Sequence, residues 1–204
     1  MLRLILDIEN EKLKENIKKI ISKIEYPLRF DEICICTTYK VEFIEGNVEK
    51  NLSIYINPEK CKNKILFNGY FIRNLFYLID EKESLNKEIE NNLKIPELVK
   101  FVQYFFADYK SIKYGFMNDM KKFYLERISK KVYQKEQISK KEYLEFYSFY
   151  LILKKLREEG EIKTLLDKLW ISGLDLLIME LERLNYPYFL GDENLITAWK
   201  NCFN

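Results

Sequence analysis

The chain has 204 residues, with 34 Lys or Arg against 32 Asp or Glu, a net charge of +2 and no histidine. Hydrophobic residues at 48% and charged residues at 32% exclude a disordered chain, and no apolar run is long enough for a bilayer. The near balance of charge supplies no global field for nucleic acid or anionic lipid, and the lack of imidazole excludes Ser-His-Asp, Cys-His and histidine-ligated metal chemistry.

The first residues read Met-Leu-Arg-Leu-Ile-Leu-Asp-Ile-Glu. One basic residue, a very short apolar run and then acid do not make a secretory signal, so the expected compartment is cytoplasmic. Cys34, Cys36, Cys61 and Cys202 are then expected as reduced thiols. Residues 2–6 alternate as a strand. Asn10 caps a helix whose face is Leu13, Ile17, Ile20, Ile21 and Ile24, offsets of three and four, and Tyr26-Pro27 stops it. Residues 32–38, 39–45 and 52–57 are rich in β-branched and aromatic residues, and the last two read as a hairpin around Glu45-Gly46-Asn47.

From about residue 64 the periodicity is helical. Residues 64–79 are apolar nearly all round, which predicts a helix at the centre of a domain. Residues 80–95 are polar and read as a surface loop. Pro96 opens a helix ending near Gly115, and further helices are predicted over 117–134, 139–159 and 161–185. The last carries Ile162, Leu165, Leu166, Leu169, Trp170, Leu177, Leu181 and Leu184 and stops at Pro187. The order strand, helix, three strands, then helices predicts an α+β fold: a small N-terminal β-sheet packed on a mostly helical C-terminal part, as one domain over 1–204.

The six glycines are scattered, so neither a P-loop nor a dinucleotide-binding loop is present. Cys34 and Cys36 share one face of a strand. With Cys61 they would suit a soft metal, but C-x-C lacks the paired spacing of a zinc site, and small core side chains are the simpler reading. Residues 110–141 hold ten Lys or Arg against three Asp or Glu, interleaved with Tyr114, Tyr124 and Tyr133. Lysines with aromatics suit a nucleic-acid surface, whereas charge runs on helices are commonly solvated faces. The aromatics Tyr143, Phe146, Tyr147, Phe149 and Tyr150 follow helical offsets and read as core.

The order of elements before residue 80 resembles the N-terminal half of zincin-type metallopeptidases, in which a sheet is followed by a central helix bearing H-E-x-x-H. Laid on residues 67–76, the histidine positions fall on Asn68 and Ile72 and the glutamate position on Gly69. Residues 104–116 resemble the E-x-x-A-D-x-x-A-I-x-x-G-F helix of glutamate-type zincins at Ala107-Asp108, Ile112 and Gly115-Phe116, with Tyr104 where the third zinc ligand stands. The resemblance covers residues 1–116, with 117–204 a helical extension. It implies a protein that kept the fold and lost zinc and peptidase activity, with no catalytic residues, metal or cofactor.

The resulting expectation is a non-catalytic binding or regulatory protein that takes a peptide or protein partner in a metal-free cleft, with no membrane association. The expected cleft lies between the 64–79 helix, the sheet edge and the 97–115 helix, lined by Asn68, Arg73, Tyr104 and Asp108, and the sheet edge is suited to strand addition. The alternative is a helical nucleic-acid-binding protein using Lys121, Lys122, Arg127, Lys130, Lys131 and Lys135.

Overall fold

A computed structural model describes residues 3–24, 32–48, 51–83, 85–169, 171–183 and 193–203. The expected stops at Tyr26-Pro27 and Pro187, and the expected stripe residues Trp170 and Leu184, lie outside the described residues. The fold is α+β, with a small N-terminal mixed sheet and a chain otherwise mainly helical. The chain forms two compact units: Met1–Leu85 with Lys110–Phe123, and Asn86–Tyr109 with Tyr124–Asn204.

The first unit runs β1 (Arg3–Asp7), α1 (Glu11–Ser22), β2 (Glu32–Thr37), β3 (Ile44–Val48), β4 (Leu52–Ile56) and α2 (Lys64–Lys82). The sheet order is β1-β2-β4-β3. The first three of these strands are mutually parallel and β3 is antiparallel to β4. Ile33, Ile35, Leu52, Ile54 and Ile56 are fully buried, and on β2 they alternate with Cys34 and Cys36, which are half-buried on the opposite face. Helix α1 buries Leu13, Ile17, Ile20 and Ile21 and is capped by Asn10, whose Oδ1 accepts the Leu13 N–H at 3.1 Å. Asn63 caps α2 in the same way, accepting from Ile65 and Leu66. As its composition predicts, α2 is buried around most of its circumference, through Phe67, Phe71, Ile72, Leu75 and Phe76.

The hairpin forms with a different register. Gly46 and Asn47 are not the turn but lie inside β3, opposite Ile54 and Ser53. The reason is packing on α2: a Cβ at position 46 would lie 2.2 Å from Leu78 Cδ1, so glycine here permits a helix–strand approach. The unit is completed by the end of α4 (Pro96–Ser111), a wide helical turn over Ile112–Phe116, and the start of α5 (Met117–Tyr133). Gly115 takes φ +89° within that turn, a conformation that favours glycine.

The second unit contains most of α3 (Leu85–Leu93), most of α4 and the remainder of α5. It continues through α6 (Lys140–Leu156), α7 (Gly160–Leu166), α8 (Asp175–Arg183) and α9 (Glu193–Phe203). Two expectations are corrected. The expected loop over 80–95 is the end of α2 followed by α3. Ile89 and Leu93, one turn apart, are buried, a stripe too narrow to stand out among polar neighbours. The expected single helix over 161–185 is two short helices, with Gly173 at φ +80° between them. Tyr143, Phe146, Phe149 and Tyr150 of α6 are buried as predicted. The Phe149 ring stacks on Tyr124 of α5 at 3.9 Å between centroids. Among the described residues no helix is long and apolar enough to cross a membrane.

Candidate functional site

Within the first unit, the α2 positions onto which the resemblance laid the zincin motif are taken up by packing. Asn68 is half-buried, and its Oδ1 accepts a hydrogen bond from Asn16 Nδ2 at 2.6 Å, tying α2 to α1. A Cβ at Gly69 would lie 2.0 Å from Phe123 Cγ and 2.4 Å from Phe123 Cβ, so the Phe123 ring occupies the space of a side chain at that position. Ile72 is fully buried. Arg73, one of the expected cleft residues, is buried with its guanidinium 5.4 Å from the Phe123 ring centroid, a cation–π contact. Tyr70 meets the same ring edge-on at 4.8 Å. These side chains do not fit zinc. An amide already in a hydrogen bond, a glycine under an aromatic ring and a core isoleucine supply neither ligand nor general base.

A second polar cluster in this unit is more enclosed. Lys110 Nζ donates to Asp80 Oδ1 and to Glu83 Oε2, each at 2.6 Å. Asp80 has no exposed surface, and its Oδ2 has no hydrogen-bond partner among the described residues. Burial pushes the Asp80 carboxyl up to about 6, opposed by the Lys110 ammonium and aided by the like charge of Glu83. Burial alone would lower Lys110, yet the two carboxylates outweigh it and hold the ammonium charged. Cys36 and Cys61 are each pushed up to about 11, chiefly by burial. Cys36 also lies within 3.5 Å of the Cys34 sulfur. Such thiols are poor nucleophiles at neutral pH.

In the second unit, Tyr104 and Asp108, one turn apart on α4, line the same cavity of about 380 Å³. Its inner wall is Asp108, Tyr124 and Ser148, all buried, with Phe105 and Trp199. Tyr124 Oη donates to Asp108 Oδ2 in a buried hydrogen bond. Beside them Arg127 makes a two-pronged pair with Glu145, through Nη1 to Oε1 and through Nη2 to Oε2 at 3.1 Å, and its guanidinium lies over the Phe146 ring at 4.9 Å. At the mouth, Lys100 lies 5.7 Å from the Tyr104 ring centroid, and Phe101 tilts against Trp199 at 5.4 Å.

No protein-family model, curated protein or solved structure matches the chain. What can be said of its activity therefore rests on its own side chains. Among the described residues, no three His, Cys, Asp or Glu side chains gather in a way that could hold a metal ion.

The four expected cleft residues divide between the units, Asn68 and Arg73 in the first and Tyr104 and Asp108 in the second. The six basic residues of the alternative divide as well. Lys121 and Lys122 belong to the first unit, and Arg127, Lys130, Lys131 and Lys135 to the second. Lys130 pairs with Glu126 at 3.6 Å, and Lys131 with Glu142 at 3.2 Å and Glu136 at 3.5 Å. Lys122 and Lys135 are exposed. Phe101, Ser148, Glu145 and Trp199 were not singled out from sequence. They come from three helices, and no spacing rule connects them.

Proposed function

We propose that the chain is a non-catalytic binding protein with a zincin-like first part, and that it takes an extended peptide by strand addition along β3. The observation that carries this reading is the position of β3 at the end of the sheet. The Asn57 N–H donates to Phe43 O at 2.8 Å. From that bond the antiparallel alternation assigns residues 45 and 47 to bonded pairs with β4. It leaves the N–H groups of Ile44, Gly46 and Val48 directed away from β4. An outward row of backbone donors is the chemistry that a peptide strand pairs with. The order strand, helix, three strands and buried helix supports the zincin-like scaffold. The Phe123 ring over Gly69 supports binding in place of catalysis.

The nucleic-acid alternative draws less support, because Arg127, Lys130 and Lys131 spend their charge on neighbouring carboxylates. The test is selection of peptides from a random displayed library on the immobilised protein, followed by hydrogen exchange. The expected result is protection of the Gly46 and Val48 amides by a selected peptide and loss of binding in Val48→Pro, which removes an outward donor. Selection of no peptide, or peptides that bind Val48→Pro equally well, sinks the reading.

A further inference from the structure

The first unit gathers uncompensated positive charge at one place, independently of peptide binding at β3. A cavity of about 480 Å³ is lined from α1, the start of α2 and the start of α5, all within that unit. Its ionisable lining is Lys19, Lys23, Lys64 and Lys122 against the single acid Asp119. Four lysines against one aspartate leave +3 at this cavity, more than the +2 of the whole chain. Lys23 is paired with Asp119 at 3.1 Å. Lys19, Lys64 and Lys122 are exposed and come from three different helices, and their ammonium groups form no ion pair or hydrogen bond among the described residues. The contrast with a solvated helix face lies on α1 itself, where Lys14 and Lys18 are each paired with a glutamate three residues earlier.

An amide donor joins the lysines. Asn16 is half-buried at the same cavity and gives one of its two Nδ2 hydrogens to Asn68 Oδ1 at 2.6 Å. The bond fixes the amide, and the other hydrogen has no acceptor among the described residues. Like charges held around one space repel, and an anion between them relieves the repulsion. The volume falls within the roughly 300–1,000 Å³ of small-molecule pockets. A single phosphate group carries about −1.5 to −2 at neutral pH, too little to balance this charge, whereas a diphosphate carries about −3. Among the described residues no arginine lines the cavity for two-pronged carboxylate binding, and no aromatic ring lines it for stacking a nucleobase. We propose that this cavity binds the diphosphate group of a small soluble molecule, with Lys19, Lys64 and Lys122 on its oxygens and Asn16 Nδ2 donating to one of them.

The experiment titrates inorganic pyrophosphate, orthophosphate and a short single-stranded oligonucleotide into the full-length protein by calorimetry. The expected result is saturable one-site binding of pyrophosphate below about 1 mM, about tenfold tighter than orthophosphate and several-fold weaker at about 200 mM than at about 50 mM salt. Lys64→Gln and Lys122→Gln, at exposed positions, are each expected to weaken pyrophosphate by about three- to tenfold. Asn16→Asp, which puts a negative charge in the place of the donor, is expected to weaken it by more than about tenfold. Lys40→Gln, at an exposed lysine of the same unit that does not line the cavity, is expected to leave binding within about twofold. Circular dichroism checks that each variant is folded. The proposal is overturned if pyrophosphate shows no saturation up to about 10 mM, or if Lys40→Gln weakens it as much as Lys64→Gln, the mark of diffuse counter-ion attraction. It is overturned equally if the oligonucleotide binds more tightly than pyrophosphate with the same dependence on Lys64 and Lys122, which would assign these lysines to nucleic acid.

Discussion

On α2 of the first unit the polar and small residues are consumed by packing. Asn68 is tied to Asn16, Gly69 lies under the Phe123 ring, and Arg73 is buried against the same ring. In the second unit Tyr104, Asp108 and Arg127 have comparable partners but line a cavity of about 380 Å³. Buried polar chemistry therefore serves two purposes in this chain. One set of side chains is part of the core, while the other lines an open cavity. The difference shows that a polar residue on a buried helix is not by itself a site; what distinguishes the two is whether a neighbouring ring fills the space in front of it.

The comparison is broken most directly at Gly69. Gly69→Glu brings a side chain into Phe123 down to its Cβ. It is expected to cost about 4 kcal/mol or more in urea denaturation, or to prevent folding. Gly69→Glu combined with Phe123→Ala should recover a substantial part of that loss, because the clash is then gone. If the single variant is as stable as the parent, α2 is not plugged in the way the packing indicates.

The next effect tests the other enclosed acid of the first unit. The folded pKa of Asp80 is raised from 3.8 to about 6, so the native state holds this proton more tightly than the unfolded chain. Its contribution to stability is therefore full below pH 4 and is lost as pH rises through about 6, a change of about 3 kcal/mol. Asp80→Asn, which cannot titrate, should gain stability relative to the parent by up to that amount between pH 4 and pH 7. A stability difference that stays flat across this range counts against the assignment.

In the second unit, Tyr124→Phe removes the donor to the buried Asp108 carboxylate. The expected loss is about 2 kcal/mol in denaturant midpoint measurements, with secondary structure retained. A loss under about 0.5 kcal/mol would show that Asp108 is held chiefly by partners other than Tyr124. The smallest effects compare two glycines of positive φ among the described residues, Gly115 in the first unit and Gly173 in the second. Among the described residues, and beyond the chain neighbours and the local helix backbone, no atom lies within 4 Å of a Cβ at Gly115, and the nearest to one at Gly173 is Lys140 Nζ at 3.9 Å. Alanine at either should cost only the backbone strain, about 1 kcal/mol, in thermal unfolding.

The order of elements was legible in the sequence because its signals are local. Helical offsets on α1, the all-apolar α2 and Pro96 at the start of α4 each report their own segment. The errors have physical reasons of another kind. Gly46-Asn47 looked like a turn, but Gly46 lies inside β3 against Leu78, a contact 32 residues away in sequence that no turn rule encodes. Helix α3 was hidden because one buried residue per turn does not raise a periodic signal. In the candidate site, Tyr104 and Asp108 were found by their spacing on one helix. Trp199 and Glu145, which complete the cavity, arrive from α9 and α6 and carry no mark of it in their neighbourhoods.

The seat of Asn68 and Gly69 inside α2 also bears on how the protein ages. Theirs is the one Asn-Gly pair in the chain, the dipeptide most prone to deamidation, because the glycine nitrogen can close on the asparagine side-chain carbonyl. That ring closure needs a backbone the helix does not provide, and Asn68 Oδ1 is also held by Asn16. Asn68 should therefore convert to aspartate or isoaspartate only in molecules whose α2 has opened. The slow gain of one mass unit at this residue on storage would then count those openings, a chemical clock built into the helix.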